Sequence, residues 1–483
     1  MVDFLAIAPA VVLAITTLTA LLADLFRPSR SRTAAGNTAL AGIVLALGAT
    51  GILATRAPRS TFCLPGNGSC AYVADEFTVI FQALVLAAGV VVVLMARAEI
   101  RTTRLPTGEF HFLLLASLTG ALTLVAARDL ATLVVALEVT SLPVFALVAL
   151  RRHDGRSAEA GLKMFLVSVV STAVMLFGIS LIYGVTGTLF LNRIAVVLPH
   201  DGPAAPAALA GVILVLVGFG FKIAVVPFHF WAPDTYEGAP IAVAAFLSVI
   251  SKAAGFAGLI LVLVKGFDSL AGEWGPLLAV LAAVSMTLGN LVALRQHAVI
   301  RLLAWSSIAQ AGYMLAPLGA IGGAPGRSAE LAGSTIAYVA IYAAMNLGAF
   351  AVVAFVGWIR QRGASLDDYR GLVRDHPLVA AALALFLTCL AGLPPGLAGL
   401  FAKITVFRAV LAGGYGWLAV VMAVNTVIGL YYYLNWITLL FAARPEAAVR
   451  TKTPRPAGFA IGLAAVLTVA LSLLPQLVLG IGT

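Results

Sequence analysis

Fourteen apolar runs, each closed by a charged or Pro/Gly-rich break, set the limits on what this chain can fold into. They cover 4–26, 34–54, 76–96, 110–127, 130–150, 161–186, 207–230, 240–264, 274–294, 302–321, 331–359, 377–402, 414–441 and 457–478. A bilayer-spanning helix takes roughly 20 such residues, and an apolar content of 61% is enough for this number. Charged residues make up only 10%, against about 25% in a soluble domain, too few to surround several cytosolic cores with polar surface. A mean hydropathy of +1.05 also excludes a disordered chain. The expected fold class is an all-α polytopic membrane protein of about 14 transmembrane helices, with the lipid bilayer as its first partner. The fourth and fifth runs are divided only at Arg128 and Asp129.

Three cysteines with no CxxC or CxxxC spacing supply no metal set, and no GxGxxG or Walker-type run is present. No iron–sulfur cluster, flavin or nucleotide is therefore expected on this chain. The net charge of +10 does not mark a nucleic-acid partner, because the cations stand singly or in small groups between apolar runs. The start MVDF carries an acid and no cation before a run of span length, so it reads as a retained first helix instead of a signal peptide.

Loop cations test the segmentation, since cytoplasmic loops are enriched in Lys and Arg. Loops on the side of the first turn hold 19: Arg27, Arg30, Arg32, Arg97, Arg101, Arg104, Arg151, Arg152, Arg156, Arg295, Arg301, Arg360, Arg362, Arg370, Arg374, Arg444, Arg450, Lys452 and Arg455. The opposite loops hold seven: Arg56, Arg59, Arg128, Arg193, Lys265, Arg327 and Arg408. The asymmetry places both termini on the outer side. Cys63 and Cys70 then fall in an outer loop, TFCLPGNGSC, where a small disulfide and two free thiols are both open readings; Cys389 is read as packing.

Four cations remain, all lysines and all inside apolar segments: Lys163, Lys222, Lys252 and Lys403. The chain uses 24 arginines and only six lysines, so this placement selects the side chain. A guanidinium keeps its proton in essentially any surroundings, whereas an ammonium can exchange one. Glu138 is the one acid deep in a run. Each such charge costs about 2.5–3.5 kcal/mol on insertion scales, so Glu138, Lys222, Lys252 and Lys403 together cost on the order of 10 kcal/mol, which a proton or ion path, or mutual pairing, must offset. Lys163 lies two residues into its run, where snorkelling competes with function.

Two of the runs are broken by proline, at Pro227 after Lys222 and at Pro394 and Pro395 before Lys403. Irregular backbone at membrane depth persists where protein or a hydrated cavity satisfies it, and paired breaks in two halves mark transport sites. His229, just after the first break, is read either as a relay or as a satisfied interfacial histidine. His111, His153, His200, His297 and His376 are expected in loops or at span ends, solvated.

The run PFHFWAPDTYEGAP from Pro227 to Pro240 and AAFLSVISKAAGFAGL around Lys252 closely resemble the subunit N family of bacterial NADH–quinone oxidoreductase, respiratory complex I. EAGLKMF around Lys163, LAWSSIAQAGYML from Leu303, DDYRGL near Asp368 and LAGLPPGLAGLFAK ending at Lys403 match as well, so the resemblance covers about residues 110 to 440. It implies an antiporter-like subunit with two inverted five-helix repeats and broken helices 7 and 12: N-terminal helices over 1–108, repeats over 109–268 and 269–441, and a last helix over 442–483. For matching positions it implies that Glu138 modulates Lys222, that Lys222 is the central proton carrier, that Lys252 links to the second half-channel, and that Lys403 is the lysine of the second broken helix. Lys163 and His229 are possible relays. The related subunit M typically has Glu where Lys403 stands. Gln310 departs from the His that many relatives carry in SSIAQAGY, so a proton relay there must run through water or the amide.

The resemblance further implies a subunit of a translocating enzyme that performs no redox chemistry in this chain and binds no cofactor itself; FMN, iron–sulfur clusters, NADH and a quinone belong to the complex as a whole. Implied partners are the other membrane and peripheral subunits, including a neighbouring antiporter-like one, in a bacterial plasma membrane. The rival readings are a subunit of a multisubunit cation/proton antiporter or membrane-bound hydrogenase, a stand-alone solute carrier, and a scaffold.

Overall fold

Without water to bond their N–H and C=O groups, apolar runs in a bilayer satisfy their backbones internally. In this chain they do so as helices. The structure, a computed structural model, describes residues 2–26, 31–65, 68–103, 105–151, 153–198, 205–324, 326–360, 364–443 and 455–480. Arg27, Arg30, Arg104, Arg152, Arg362, Arg444, Arg450, Lys452 and His200 lie outside the described residues.

Among the described residues, twelve helices are long and apolar enough to cross a membrane, from Phe4–Phe26 to Arg455–Leu473. Two further expected ranges hold the helix Val299–Ala320 and the pair Pro377–Ala391 and Leu397–Ala412. The chain is a multi-pass, all-α membrane protein with one small addition, an antiparallel hairpin of Arg59–Cys63 and Cys70–Ala74. Its register sets Cys63 opposite Cys70, and a disulfide joins them.

The helices gather into two units. The first comprises Met1–Val93, Leu105–Ile223 and Ile250–Trp274; the second comprises Leu94–Arg104, Ala224–Val249 and Gly275–Thr483.

In the first unit, helices Gly155–Thr186 and Pro206–Ile223 cross at Gly178 and Gly211, where the carbonyl of each occupies the space a Cβ on the other would need. Glycines at both positions let the backbones meet directly. The short turn at Arg128 and Asp129 is well specified. Asp129 caps the helix Leu130–Val148 by accepting from the Thr132 N–H at 2.9 Å. Arg128 grips both oxygens of Asp75 at 2.8 Å and donates to the carbonyls of Val125 and Ala127. Its backbone joins the hairpin at Ala71 and the segment leading into Leu191–Val197.

Asp75 stands just before the helix Glu76–Thr103. Burial by itself raises its carboxyl, but the charge and hydrogen bonds of Arg128 outweigh that and hold it below the usual carboxylate value. A depressed folded pKa contributes stability that is fully present above the unfolded value and is lost as pH falls through the folded one. Thermal unfolding followed below about pH 4 should therefore show the wild type losing more stability than Asp75→Asn, which has no such carboxylate to protonate. Equal acid sensitivity in the two would remove this role for the pair.

In the second unit, the helix Ser328–Arg360 is buried along most of its length. Asp234 and Glu237, three apart on the short helix Trp231–Gly238, share Arg301 at 2.8 and 2.9 Å. Two acids on one helical face repel, and the single guanidinium offsets this for both. Glu99 accepts from the N–H groups of Ile241 and Ala242 at 2.9 and 3.0 Å, fixing the start of the helix that follows Pro240.

The break expected in the run 207–230 is present: the helix ends at Ile223, Ala224 turns left-handed at φ 57° and the helix resumes at Trp231. Two other expectations change. The run 377–402 ends its first helix at Ala391, with Gly392 left-handed at φ 76°. The second helix then continues to Ala412, because apolar sequence lasts until Gly413 and Gly414. Lys403 therefore sits in the middle of a half-helix instead of at the end of a run. His111 is fully buried in the first turns of Thr107–Ala126, with its Nδ1 bonded to the Thr107 carbonyl at 2.7 Å, and is not solvated.

Candidate functional site

In the first unit, Lys222 occupies the last turn of the helix Pro206–Ile223 and is 3% exposed. Its ammonium donates to the Ser141 hydroxyl at 2.8 Å. Ser141 follows Glu138 by three residues, so both lie on one face of the helix Leu130–Val148. The Glu138 carboxylate acts on Lys222 through its charge and accepts from the Thr172 hydroxyl at 2.6 Å. The half-buried Glu138 is therefore held from one side by a neutral donor while its charge reaches the lysine.

Lys252, 2% exposed, opens the α-helical stretch Lys252–Lys265 directly after a π-helical turn, Leu247–Ser251. Such turns are rare, and they often re-aim side chains at functional positions. One turn beyond Lys252, a Cβ on Gly255 would meet Lys222 Cγ at 3.0 Å and Ile223 Cγ2 at 2.9 Å. The stem of Lys222 thus lies over the face of the helix that carries Lys252.

This contact gives a direct prediction. Gly255→Ala raises helix propensity by about 1 kcal/mol yet overpacks the Lys222 stem, a cost of about 1–3 kcal/mol that is relieved by moving the ammonium off Ser141. Energy-coupled proton transport is expected to fall several-fold while the protein still assembles. Unchanged transport in reconstituted vesicles would show that the position of the stem is not critical.

In the second unit, Lys403 is 6% exposed. It donates to the Ala391 carbonyl at 2.7 Å and to the Thr426 hydroxyl at 3.4 Å, and lies 4.9 Å above the Tyr313 ring. Tyr313 in turn shares a hydrogen bond with Thr426 at 3.0 Å. Gln310 accepts from the Tyr338 hydroxyl at 2.5 Å and donates to the Leu390 carbonyl at 3.1 Å and to Tyr433 at 3.4 Å. Tyr433 also bonds Ser306. With Gln310 an amide, these hydroxyls are held in place by a group that does not titrate. A cavity of about 370 Å³ touches Lys403 and Thr426 and extends to Phe407 and Arg408.

Both lysines stand at the negative pole of an interrupted helix. Lys222 is within the last turn of its own helix, whereas Lys403 reaches across the break to the last carbonyl of the preceding one, Ala391. Lys403 thereby satisfies a carbonyl that its break exposes, whereas Lys222 is held at its break by the Ser141 hydroxyl.

The remaining candidates fall elsewhere. Lys163, two turns into the helix Gly155–Thr186, is about half exposed and pairs with Glu159 at 2.7 Å. His229 is half-buried in the second unit beside Trp305, with ring centroids 5.3 Å apart. Attention to charge alone missed Ser141, Thr172, Tyr313, Tyr338, Thr426 and Tyr433. Their signal was weak, a polar residue on the same helical face as a charge or a tyrosine inside an apolar run. Among the described residues no group of three His, Cys, Asp or Glu is placed to hold a metal.

Comparisons with known proteins agree with this layout. Residues 127–429 match the family described as NADH:quinone oxidoreductase/Mrp antiporter, TM. NADH-quinone oxidoreductase subunit N 2 of Streptomyces griseus is 52% identical over an alignment covering 99% of this chain and 93% of that protein. A chain of respiratory complex I from Thermus thermophilus superposes with a TM-score of 0.78 at 34% identity, covering 98% of both chains. A chain of the Mrp complex from Dietzia, at 22% identity and a TM-score of 0.81 over 99% of this chain and 96% of that one, shares the fold. Two lysine-bearing broken helices and this degree of identity lead to one conclusion: the chain belongs to the NADH-quinone oxidoreductase subunit N family, within the NADH:quinone oxidoreductase/Mrp antiporter transmembrane group.

Proposed function

We propose that the chain is a proton-translocating, antiporter-like subunit of an NADH:quinone oxidoreductase. Quinone reduction elsewhere in that complex drives proton movement through Glu138, Lys222, Lys252 and Lys403. The observation that carries this reading is the Lys222 site: an ammonium removed from water, held by a neutral hydroxyl, with one carboxylate acting on it. A change in the distance between Glu138 and Lys222 alters how firmly the ammonium holds its proton, because charge interactions are strong away from water. Lys222 then exchanges a proton, Lys252 takes it on, and Lys403 serves the second half-channel. His229 is a secondary relay candidate, and Lys163, paired with Glu159 and half exposed, takes part only once a neighbouring subunit covers it.

On this reading the two groups of helices, 109–268 and 269–441, form inverted repeats with broken helices 7 and 12. The partners are the other membrane and peripheral subunits, including a neighbouring antiporter-like one. FMN, iron–sulfur clusters, NADH and the quinone are held by those partners. The location is a bacterial plasma membrane with both termini outside. Identity to subunit N over nearly the whole chain weighs against a cation/proton antiporter subunit or a hydrogenase subunit. Purification through a tag on this chain should bring down an NADH-oxidising, cluster-containing assembly; recovery with antiporter subunits alone would refute the assignment.

A further inference from the structure

The disulfide-closed hairpin forms one wall of a cavity of about 350 Å³ in the first unit. Arg59, Arg128 and Lys265 line it together with Ser60 and Asn192, and among the described residues no acid is part of its lining. The three cations come from stretches far apart in sequence: the first hairpin strand, the turn between two helices, and the last residue of the helix ending at Lys265. Arg59 and Arg128 have acidic partners behind them, Asp3 and Asp75, each at 2.8 Å. Lys265, exposed at its helix end, has no ion pair among the described residues.

Three cations around one hollow repel each other, and the two bound acids leave a net positive charge facing it. The volume is within the range of small-ligand sites. Its level is also informative. Lys265 ends one candidate span and Arg128 separates two others, which places the cavity at the boundary where phospholipid headgroups lie. We infer that this cavity binds a phosphate group, chemistry that a phospholipid headgroup and free phosphate share, with its level in the bilayer pointing to the headgroup.

The test uses the full chain in the assembly it is purified with, in phosphatidylcholine vesicles containing phosphatidylglycerol that carries a photoreactive group beside its headgroup. Crosslinks are expected in 58–73 and around Lys265. Lys265→Ala should lower their yield about fivefold, the equivalent of about 1 kcal/mol for one cation at a membrane surface. Lys265→Arg should restore it. Arg193→Ala, at an exposed cation outside the cavity lining, should leave it unchanged. Crosslinking that survives excess inorganic phosphate assigns the site to the lipid. Loss of crosslinking in excess phosphate, with a rise in the thermal transition on adding it, assigns the site to free phosphate. Equal crosslinking in wild type and Lys265→Ala, or no crosslink together with no effect of phosphate on the transition, overturns the inference.

Discussion

Lys222→Ala is expected to remove most energy-coupled proton transport while the assembly still forms and oxidises NADH. Positioned proton-transfer groups contribute typically 10²-fold or more, so a fall of at least about tenfold is the modest expectation. The alanine leaves Ser141 without its donor and Glu138 without the cation its charge acts on. A loss of transport alone would not separate a carrier from a structural ion pair, and Lys222→Arg does. Arginine keeps the positive charge and can donate to Ser141, but its guanidinium does not give up a proton. If Lys222 is a carrier, both variants fail to pump, and the arginine form retains the thermal stability that the alanine form loses. Wild-type proton stoichiometry in either variant, measured by dye quenching in reconstituted vesicles, would refute the role.

The second large effect is expected at Lys403. Removing its side chain leaves the Ala391 carbonyl buried without its donor, a penalty of about 1–3 kcal/mol, and deletes a cation–π contact worth up to about 2 kcal/mol when desolvated. Lys403→Gln can keep a donor toward Ala391 and should cost less stability, though it still interrupts transport because an amide does not titrate. Lys403→Glu should be the worst of the three. Its carboxylate would meet a helix C-terminus and the electron-rich face of Tyr313, both of which repel an anion. The order glutamine, alanine, glutamate in falling thermal transition is the expected result. A glutamate variant as stable as wild type would mean that the carbonyl and the ring do not set the preference for a cation.

Much of the scaffold was legible because a charge inside an apolar run is expensive and therefore conspicuous. Lys222, Lys252, Lys403 and Glu138 stood out for this reason, and so did the proline breaks. Ser141 and Thr172 did not, since hydroxyls in spanning helices commonly bond their own backbone four residues back, as Ser141 also does to Leu137. Only the packing of three helices shows that these hydroxyls also meet Lys222 and Glu138. The π-helical turn before Lys252 was invisible for a different reason: no residue type in LSVIS marks it. Lys163 shows the converse. Its position in the sequence suggested a role, and its observed environment is an exposed pair with Glu159.

The two helix breaks have the same grammar and a different punctuation. In each, a left-handed residue, Ala224 or Gly392, is followed three residues later by proline, Pro227 or Pro395. Lys222 precedes its left-handed residue by two positions, whereas Lys403 follows its own by eleven. The position equivalent to Lys222 in the second break is Leu390, and the position equivalent to Lys403 in the first is Thr235. Evolution could therefore move the titratable group from one arm of a break to the other without rebuilding the helix end it serves. Comparisons of the two halves should accordingly be registered on their breaks, and a missing lysine in a relative should prompt a search of the opposite arm before function is judged lost.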